Sequence, residues 1–249
     1  MIYSCASHVG KVRQNNEDYC MGEVIQINDE ETLGIFALAD GMGGHKKGEV
    51  ASKLAVENIL EYLKENLLQS NSIKIDYIDD IIKQAYNNVN SMIYNKSLEQ
   101  EEFRGMGTTL VTAILYKEDL YIANVGDSRC YLLSDNNLNQ ISIDHSVVEE
   151  LIRANIITEE EAMHHPHRNH ITRAIGTDEM VVVDIFKESL NKDDLVLLAS
   201  DGLTGCVYED DIKEVLQQNK NISEINNDLI NMANDISGRD NVSVILIKA

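Results

Sequence analysis

Basic residues are scarce: 21 Lys and Arg face 42 Asp and Glu, a net charge of −21. A chain this acidic repels nucleic-acid phosphates and anionic membrane, so neither is an expected partner. The same field repels an anionic substrate, so any phosphate site needs local cations; most of the acidic residues read simply as solvated surface. Proline is nearly missing, with Pro166 alone, and no Ser/Gly-rich or repeated stretch appears, so neither a flexible linker nor a low-complexity tail is expected. Cysteine is limited to Cys5, Cys20, Cys130 and Cys206, far apart and without a Cys-x-x-Cys pair, which reads as reduced thiols. Six residues beyond them stand Lys11, Gln26, Asn136 and Ile212, so the Cys-x₅-Arg signature of cysteine-based phosphatases is excluded. No two aspartates are spaced by two, which removes an aspartyl-phosphate mechanism of the Asp-x-Asp kind. Glu49 stands where a P-loop after Gly41 to Gly48 would need lysine. The histidines at 164, 165, 167 and 170 have no Cys or His-Glu-x-x-His context and read as a polar loop rather than a zinc site. Met1-Ile2-Tyr3-Ser4 has neither region of a secretory leader, and no apolar run reaches the length of a membrane span. A cytoplasmic protein, working as a monomer, is expected.

The 249 residues, 43% of them hydrophobic, suffice for a sizeable core and predict one domain over 1–249. Alternation predicts strands at 2–9, 20–27 and 33–39, with a polar loop between the first two. A four-residue recurrence of Ala51, Ala55, Ile59, Leu63 and Leu67 predicts a long helix, and Ile78, Ile82, Ala85, Val89 and Ile93 a second. Runs at 108–116, 120–125 and 129–133, separated by very short connections, predict an antiparallel meander. Residues 144–176 read as a helical and loop-like insertion with a helix start at Thr158. Strands at 180–185 and 195–199, helices at 210–217 and 222–236 and a strand at 242–247 complete the chain.

The stretch Ile35-Phe36-Ala37-Leu38-Ala39-Asp40-Gly41-Met42-Gly43-Gly44 organises the rest. A buried strand ends in a carboxylate, and glycine then lets the backbone present its own oxygen, which suits a hard cation such as Mg²⁺ or Mn²⁺. Alone, Asp-Gly is an ordinary turn signal. Asp201-Gly202 repeats the arrangement after another apolar run, Asp127 follows a third, and Asp240 precedes the last strand. Four carboxylates at strand ends are hard to explain as four turns. For Asp127 an Asx-type turn remains the competing account, since Gly126-Asp127-Ser128 also closes one strand and opens the next.

Taken in order, Arg13 to Asp18, Asp40 to Gly44, Gly107-Thr108-Thr109, Gly126 to Arg129, Asp144-His145-Ser146, Ile171 to Gly176, Ser200-Asp201-Gly202 and Asp240-Asn241 resemble the motifs of metal-dependent serine/threonine protein phosphatases of the type 2C family, in the compact bacterial form. The resemblance spans almost the whole chain. It implies an α+β fold, a four-layer α-β-β-α sandwich of two mainly antiparallel sheets flanked by helices, with residues 144–176 as a flap. It further implies two Mn²⁺ or Mg²⁺ ions, with Asp40 bridging them, Asp201 and Asp240 completing one shell, and Glu17 with the Gly41 carbonyl serving the other. Asp18 would hydrogen-bond metal-held water, Arg13 would bind the phosphoryl group through its guanidinium fork, and Asp127 with Asp201 would hold a third, weaker ion. His45 and His145 occupy family-like positions as local hydrogen-bonding residues.

The activity so implied is hydrolysis of phosphoserine and phosphothreonine in proteins, by hydroxide bridging the two cations and without a covalent intermediate. The expected partners are phosphoproteins, including a serine/threonine kinase. One departure concerns Met42, which stands where eukaryotic members commonly carry a histidine proposed as general acid. Methionine donates no proton, so that task falls to another group. The competing reading from another class is a pseudophosphatase that binds phosphoproteins without turnover, against which stands the presence of every expected ligand type. A phosphatase dedicated to one regulatory phosphoprotein is the narrower alternative.

Overall fold

The computed structural model describes residues 1–43, 46–69, 72–99 and 101–249. In chain order the elements are β1 (Ile2–His8), β2 (Asp18–Gln26), β3 (Thr32–Met42), α1 (Lys46–Leu67), β4 (Leu68–Gln69), β5 (Ser72–Ile73), α2 (Ile78–Glu99), β6 (Gly107–Thr108), β7 (Leu110–Tyr116), β8 (Asp119–Val125), β9 (Arg129–Ser134), β10 (Asn137–Gln140), α3 (Val147–Arg153), α4 (Glu159–Met163), β11 (Asp184–Ser189), β12 (Leu195–Ala199), α5 (Asp201–Thr204), α6 (Glu209–Leu216), α7 (Ile222–Ile236) and β13 (Val242–Lys248). One sheet runs β1-β13-β12-β9-β10 and the other β11-β8-β7-β3-β2, with β6 added beside β3; every pairing within them is antiparallel. Gly44 and His45 lie outside the described residues.

The layering follows from which face each strand residue takes. Along β3, Leu33, Ile35, Ala37 and Ala39 pack with Ala51, Ala55, Ile59 and Leu63 of α1 and with Ile82, Ala85, Val89 and Ile93 of α2. The alternate residues, Phe36 and Leu38, face the other sheet, where Val196, Leu198, Ile245 and Ile247 meet them. Beyond that sheet Leu197, Ala199, Val244 and Leu246 pack against Ile212, Val215, Leu229 and Ala233 of α6 and α7. Three apolar seams between four layers make an α-β-β-α sandwich. A strand covered on both faces has no polar side, which is why β3 reads as a continuous apolar run although its sheet is antiparallel. Tyr86 is fully buried in the outer seam, and its hydroxyl donates to the Ala123 carbonyl at 2.8 Å, so its polar end is satisfied.

Two local expectations shift. The strand placed at 180–185 lies at β11 (Asp184–Ser189), pairing with β8, while Met180 and Val182 are exposed on the approach to it. The Val182 carbonyl is instead held by Arg173 Nη1 at 2.8 Å, so this apolar stretch is fixed by a side chain rather than by a ladder. The sequence reading also leaves out β10, whose residues Asn137–Gln140 include one apolar side chain. It forms because Asp135 and Asn136 both take positive φ, 49° and 61°, as a two-residue hairpin turn requires. The helix start at Thr158 is present as α4, with a full capping box: Glu161 N donates to Thr158 Oγ1 at 3.2 Å and Thr158 N to Glu161 Oε2 at 2.8 Å.

Candidate metal centre

Antiparallel pairing brings the acidic strand ends to one rim. Asp18 opens β2 directly opposite Asp40 near the end of β3. In the other sheet Ala199, at the end of β12, is registered with Val244 near the start of β13 and with Arg129 at the start of β9. Asp201 follows the first of these strands, Asp240 precedes the second, and Asp127 lies in the turn before the third. The loop from β1 to β2 carries Arg13 and Glu17 to the same rim, because His8 at the end of β1 is registered with Val242.

The carboxylates repel one another through a poorly solvated space. Burial pushes Asp18 up to about 7, with Asp201 and Asp240 adding to the rise while bonds from Ser243 and Ser200 oppose it. Asp40 is held well above the ordinary carboxylate range by burial first, then by Asp18, Asp201 and Asp127. Asp127 is raised by burial and by Asp201, and Asp201 by burial and by Asp240. Like charges directly opposite on neighbouring strands destabilise a sheet unless something positive or a proton stands between them. Buried carboxylate oxygens without a hydrogen-bond partner point the same way: Asp18 Oδ1 and Asp201 Oδ1 are both in this state. Among the described residues no three His, Cys, Asp or Glu side chains form a finished cage around one point. The donor set is nevertheless all oxygen, partly orphaned and mutually repelling, and it fits hard divalent cations.

Gly41, expected to let the backbone approach, is accounted for by contact with a second glycine, Gly48. A Cβ on Gly41 would collide with the Gly48 carbonyl, and one on Gly48 would strike both Glu17 Oε2 and the Gly41 carbonyl. Glu17 Oε2 and the Gly41 carbonyl oxygen therefore both lie against the Gly48 backbone at the first turn of α1. Arg13 Nη2 donates to Asp240 Oδ2 at 2.9 Å, and Asn241 N donates to the other oxygen at 2.9 Å. The guanidinium is half exposed and meets Asp240 with one of its nitrogens, so it stands at the rim in contact with a carboxylate. Asp127 takes a bond from its own backbone amide and also faces Asp201. Met42 packs against Gly107, where an added Cβ would meet its Cε at 2.7 Å.

A set of supporting residues, to which the sequence reading assigns no role, holds the acids in place. Thr109 Oγ1 accepts from Asp40 N at 2.8 Å and lies 2.7 Å from Ser128 Oγ, tying the end of β3 to the Asp127 turn. Thr108 Oγ1 donates to the Asp40 carbonyl at 2.8 Å. Ser200 Oγ donates to Asp18 Oδ2 at 2.8 Å and accepts from Ser243 N at 3.0 Å, joining the two sheets across the rim. Asn241 Oδ1 accepts from Glu17 N at 2.8 Å, while its Nδ2 donates to the Val9 and Asn15 carbonyls, both at 2.9 Å, so it shapes the Arg13 loop from both ends. The available signal was a hydroxyl or amide placed beside each acid or inside an otherwise apolar strand, as Ser243 is in β13.

The Asp144-His145-Ser146 motif fastens the insertion to this frame. Arg129 grips Asp144 through Nε and Nη2 at 2.9–3.1 Å, and burial of the pair is offset by this fork. Gly126 N donates to His145 Nδ1 at 3.0 Å, and Nε2 lies 3.1 Å from Asp184 Oδ2 and 2.9 Å from Arg173 Nη1. Burial lowers the pKa of His145, consistent with a neutral ring. His145 is thus a hydrogen-bonding residue, as expected. Ser146 caps α3 by accepting from Glu149 N at 3.2 Å.

Comparison with known proteins agrees with this frame over the full length. The family model for Protein phosphatase 2C matches residues 6–243. The serine/threonine phosphatase stp of Listeria welshimeri is 39% identical over 239 residues, 96% of this chain and 92% of that protein. The crystal structure of the serine/threonine phosphatase Stp1 from Staphylococcus aureus superposes with a TM-score of 0.89 at 36% identity, covering 99% of this chain and 94% of that one. The Mycobacterium tuberculosis serine/threonine phosphatase PstP/Ppp follows with a TM-score of 0.84 at 34% identity, covering 98% and 97%. Motifs, sandwich and acidic rim meet in one assignment: the chain belongs to the protein phosphatase 2C family and is a serine/threonine protein phosphatase, with the metal dependence that membership implies.

Proposed function

We propose that the protein removes phosphate from phosphoserine and phosphothreonine side chains through a binuclear centre of Mn²⁺ or Mg²⁺ at the acidic rim, with residues 1–249 forming one catalytic domain and 144–176 its flap. The observation that carries this reading is the mutual repulsion of Asp18, Asp40, Asp127 and Asp201 beside orphaned carboxylate oxygens, which only bound cations or protons relieve. Asp40 would bridge the pair of ions, since it faces Asp18 across the sheet and touches Asp201. Asp201 and Asp240 would complete one ion's shell, and Glu17 with the Gly41 carbonyl the other's. When bound, such ions lower the pKa of a shared water and draw charge from phosphoryl oxygens.

The chain's own groups supply orientation. Asp18, held by Ser200 and Ser243, would accept a hydrogen bond from the attacking water and fix its direction. Arg13 would exchange its contact with Asp240 for phosphoryl oxygens, for which its planar fork is suited. Asp127 and Asp201 would hold a third, weaker ion. The substrates would be phosphoproteins produced by a serine/threonine kinase, and the protein would work as a monomer in the cytoplasm. The decisive experiment is hydrolysis of a phosphothreonine peptide with Mn²⁺, with Mg²⁺ and with chelator. Activity that chelation abolishes and Mn²⁺ restores is expected; full activity in excess chelator would overturn the mechanism.

A further inference from the structure

Cys5 and Cys20 are distant in sequence and belong to different sheets, yet the fold brings them together. Cys5 sits on β1 and Cys20 on β2, and both side chains pack against the apolar seam between the two sheets. Cys20 Sγ lies 3.9 Å from the carbonyl of Ala6, the neighbour of Cys5 in β1. The two thiols are near enough that each shifts the other's titration. Because β1 and β2 are the outermost strands of their sheets on the same side of the sandwich, the pair lies where the seam opens, and both thiols are half-buried rather than enclosed. Cys130, by contrast, is fully buried, and Cys206 packs in the seam beyond the second sheet.

We propose that Cys5 and Cys20 form a reversible disulfide between the two sheets when the protein meets a hydroperoxide. Cys20 lowers the pKa of Cys5 against the opposing effect of burial, and Cys5 raises that of Cys20, so Cys5 is the better nucleophile of the two. Cys5 sulfur attacks one peroxide oxygen with its electron pair; the O–O bond breaks, the departing oxygen leaves as water (or as the alcohol from an organic hydroperoxide), and Cys5 becomes a sulfenic acid. Cys20 sulfur then attacks Cys5 sulfur, the S–O bond breaks, and the oxygen leaves as a second water with the proton from Cys20. With hydrogen peroxide, two thiols are oxidised, one peroxide is reduced and two waters form. A bond of about 2.05 Å asks two side chains that share one seam on adjoining edge strands to turn toward each other.

The bond would close the β1-to-β2 segment into a ring that carries Arg13 and Glu17, so oxidation staples the stem of the loop that serves the site. The test uses the full chain, treated with hydrogen peroxide and digested with trypsin without reductant. Cleavage after Lys11, Arg13 and Lys46 separates peptides 1–11 and 14–46, so a disulfide keeps them linked and lowers their summed mass by two hydrogens. The linked pair is expected, released by dithiothreitol, and absent from Cys5→Ser and Cys20→Ser. The oxidised protein is expected to melt roughly 5–10 °C higher than the reduced one, from the chain entropy of a ~15-residue ring and the response of a chain of this size. Peptides that remain separate, a Cys5 carried on to sulfinic acid, a bond between two molecules, or an unchanged melting temperature would each overturn the proposal.

Discussion

Asp40→Asn changes almost no volume, so its consequences come from charge. The residue lies directly opposite Asp18, touches Asp201 and feels Asp127, and its proposed role is to serve both ions at once. Loss of a single electrostatic element of an active site costs ~3–4 kcal/mol, which corresponds to a fall in turnover of at least roughly 10²–10³. Stability should move the other way. With chelator present, the wild type keeps several buried acids that no cation compensates, and replacing one with a neutral amide removes three repulsions. A gain of ~1–2 kcal/mol is expected, as for other sites that trade stability for function, or a melting temperature higher by roughly 2–8 °C for a chain of this size. The assay is a pair of measurements on one preparation: phosphopeptide turnover at saturating Mn²⁺, and thermal melting in chelator. In Mn²⁺ the order of melting temperatures should reverse, because on the proposed reading only the wild type would bind both ions tightly. Near-normal turnover, or a chelated mutant that melts below the chelated wild type, would refute the argument that these acids are held together for cations.

Arg13→Ala should cost a charge-assisted contact of ~1.5–3 kcal/mol, a roughly ten- to hundredfold loss in kcat/KM, while calorimetry still finds the tight metals; loss of those metals would make Arg13 a structural partner of Asp240. Asp127→Ala should leave the fold and two tight ions in place yet slow turnover of phosphopeptides more than of an aryl phosphate, whose leaving group needs little protonation; an equal loss on both, or a melting temperature that accounts for it, would return Asp127 to the turn. In chelator, stability should fall as pH rises from 5 to 7. The folded pKa of Asp18, about 7, lies above its unfolded value, so the folded form keeps a proton that the unfolded form has lost, and the advantage disappears as pH passes through that value. For this residue alone the drop is about 2–3 kcal/mol over that window, and melting at fixed Mn²⁺ should show a smaller slope.

What could be read in advance was whatever depends on a repeating pattern or on a strand's end. The four-residue recurrence in α1 and α2 and the apolar run of β3 led to the layers because burial on a defined face leaves a period in the sequence. The acids at the ends of strands could be placed on one rim because antiparallel pairing returns every second strand end to the same side. The strand at Met180 failed for the converse reason, since an apolar run there is held by Arg173 and never joins a ladder. A hydroxyl or amide beside each acid was a visible signal, but its partner was illegible because these bonds join residues far apart in the chain: Ser200 to Asp18, Asn241 to Glu17 and Thr109 to Ser128 have no spacing rule. Cys5 and Cys20 show how far this extends. Spacing alone reads them as unrelated thiols, and they become a pair only because β1 and β2 close opposite sheets on the same side of the sandwich. A residue's chemistry can be named from its type, but its partner is fixed by register, and register here is set by apolar side chains elsewhere along the same strands.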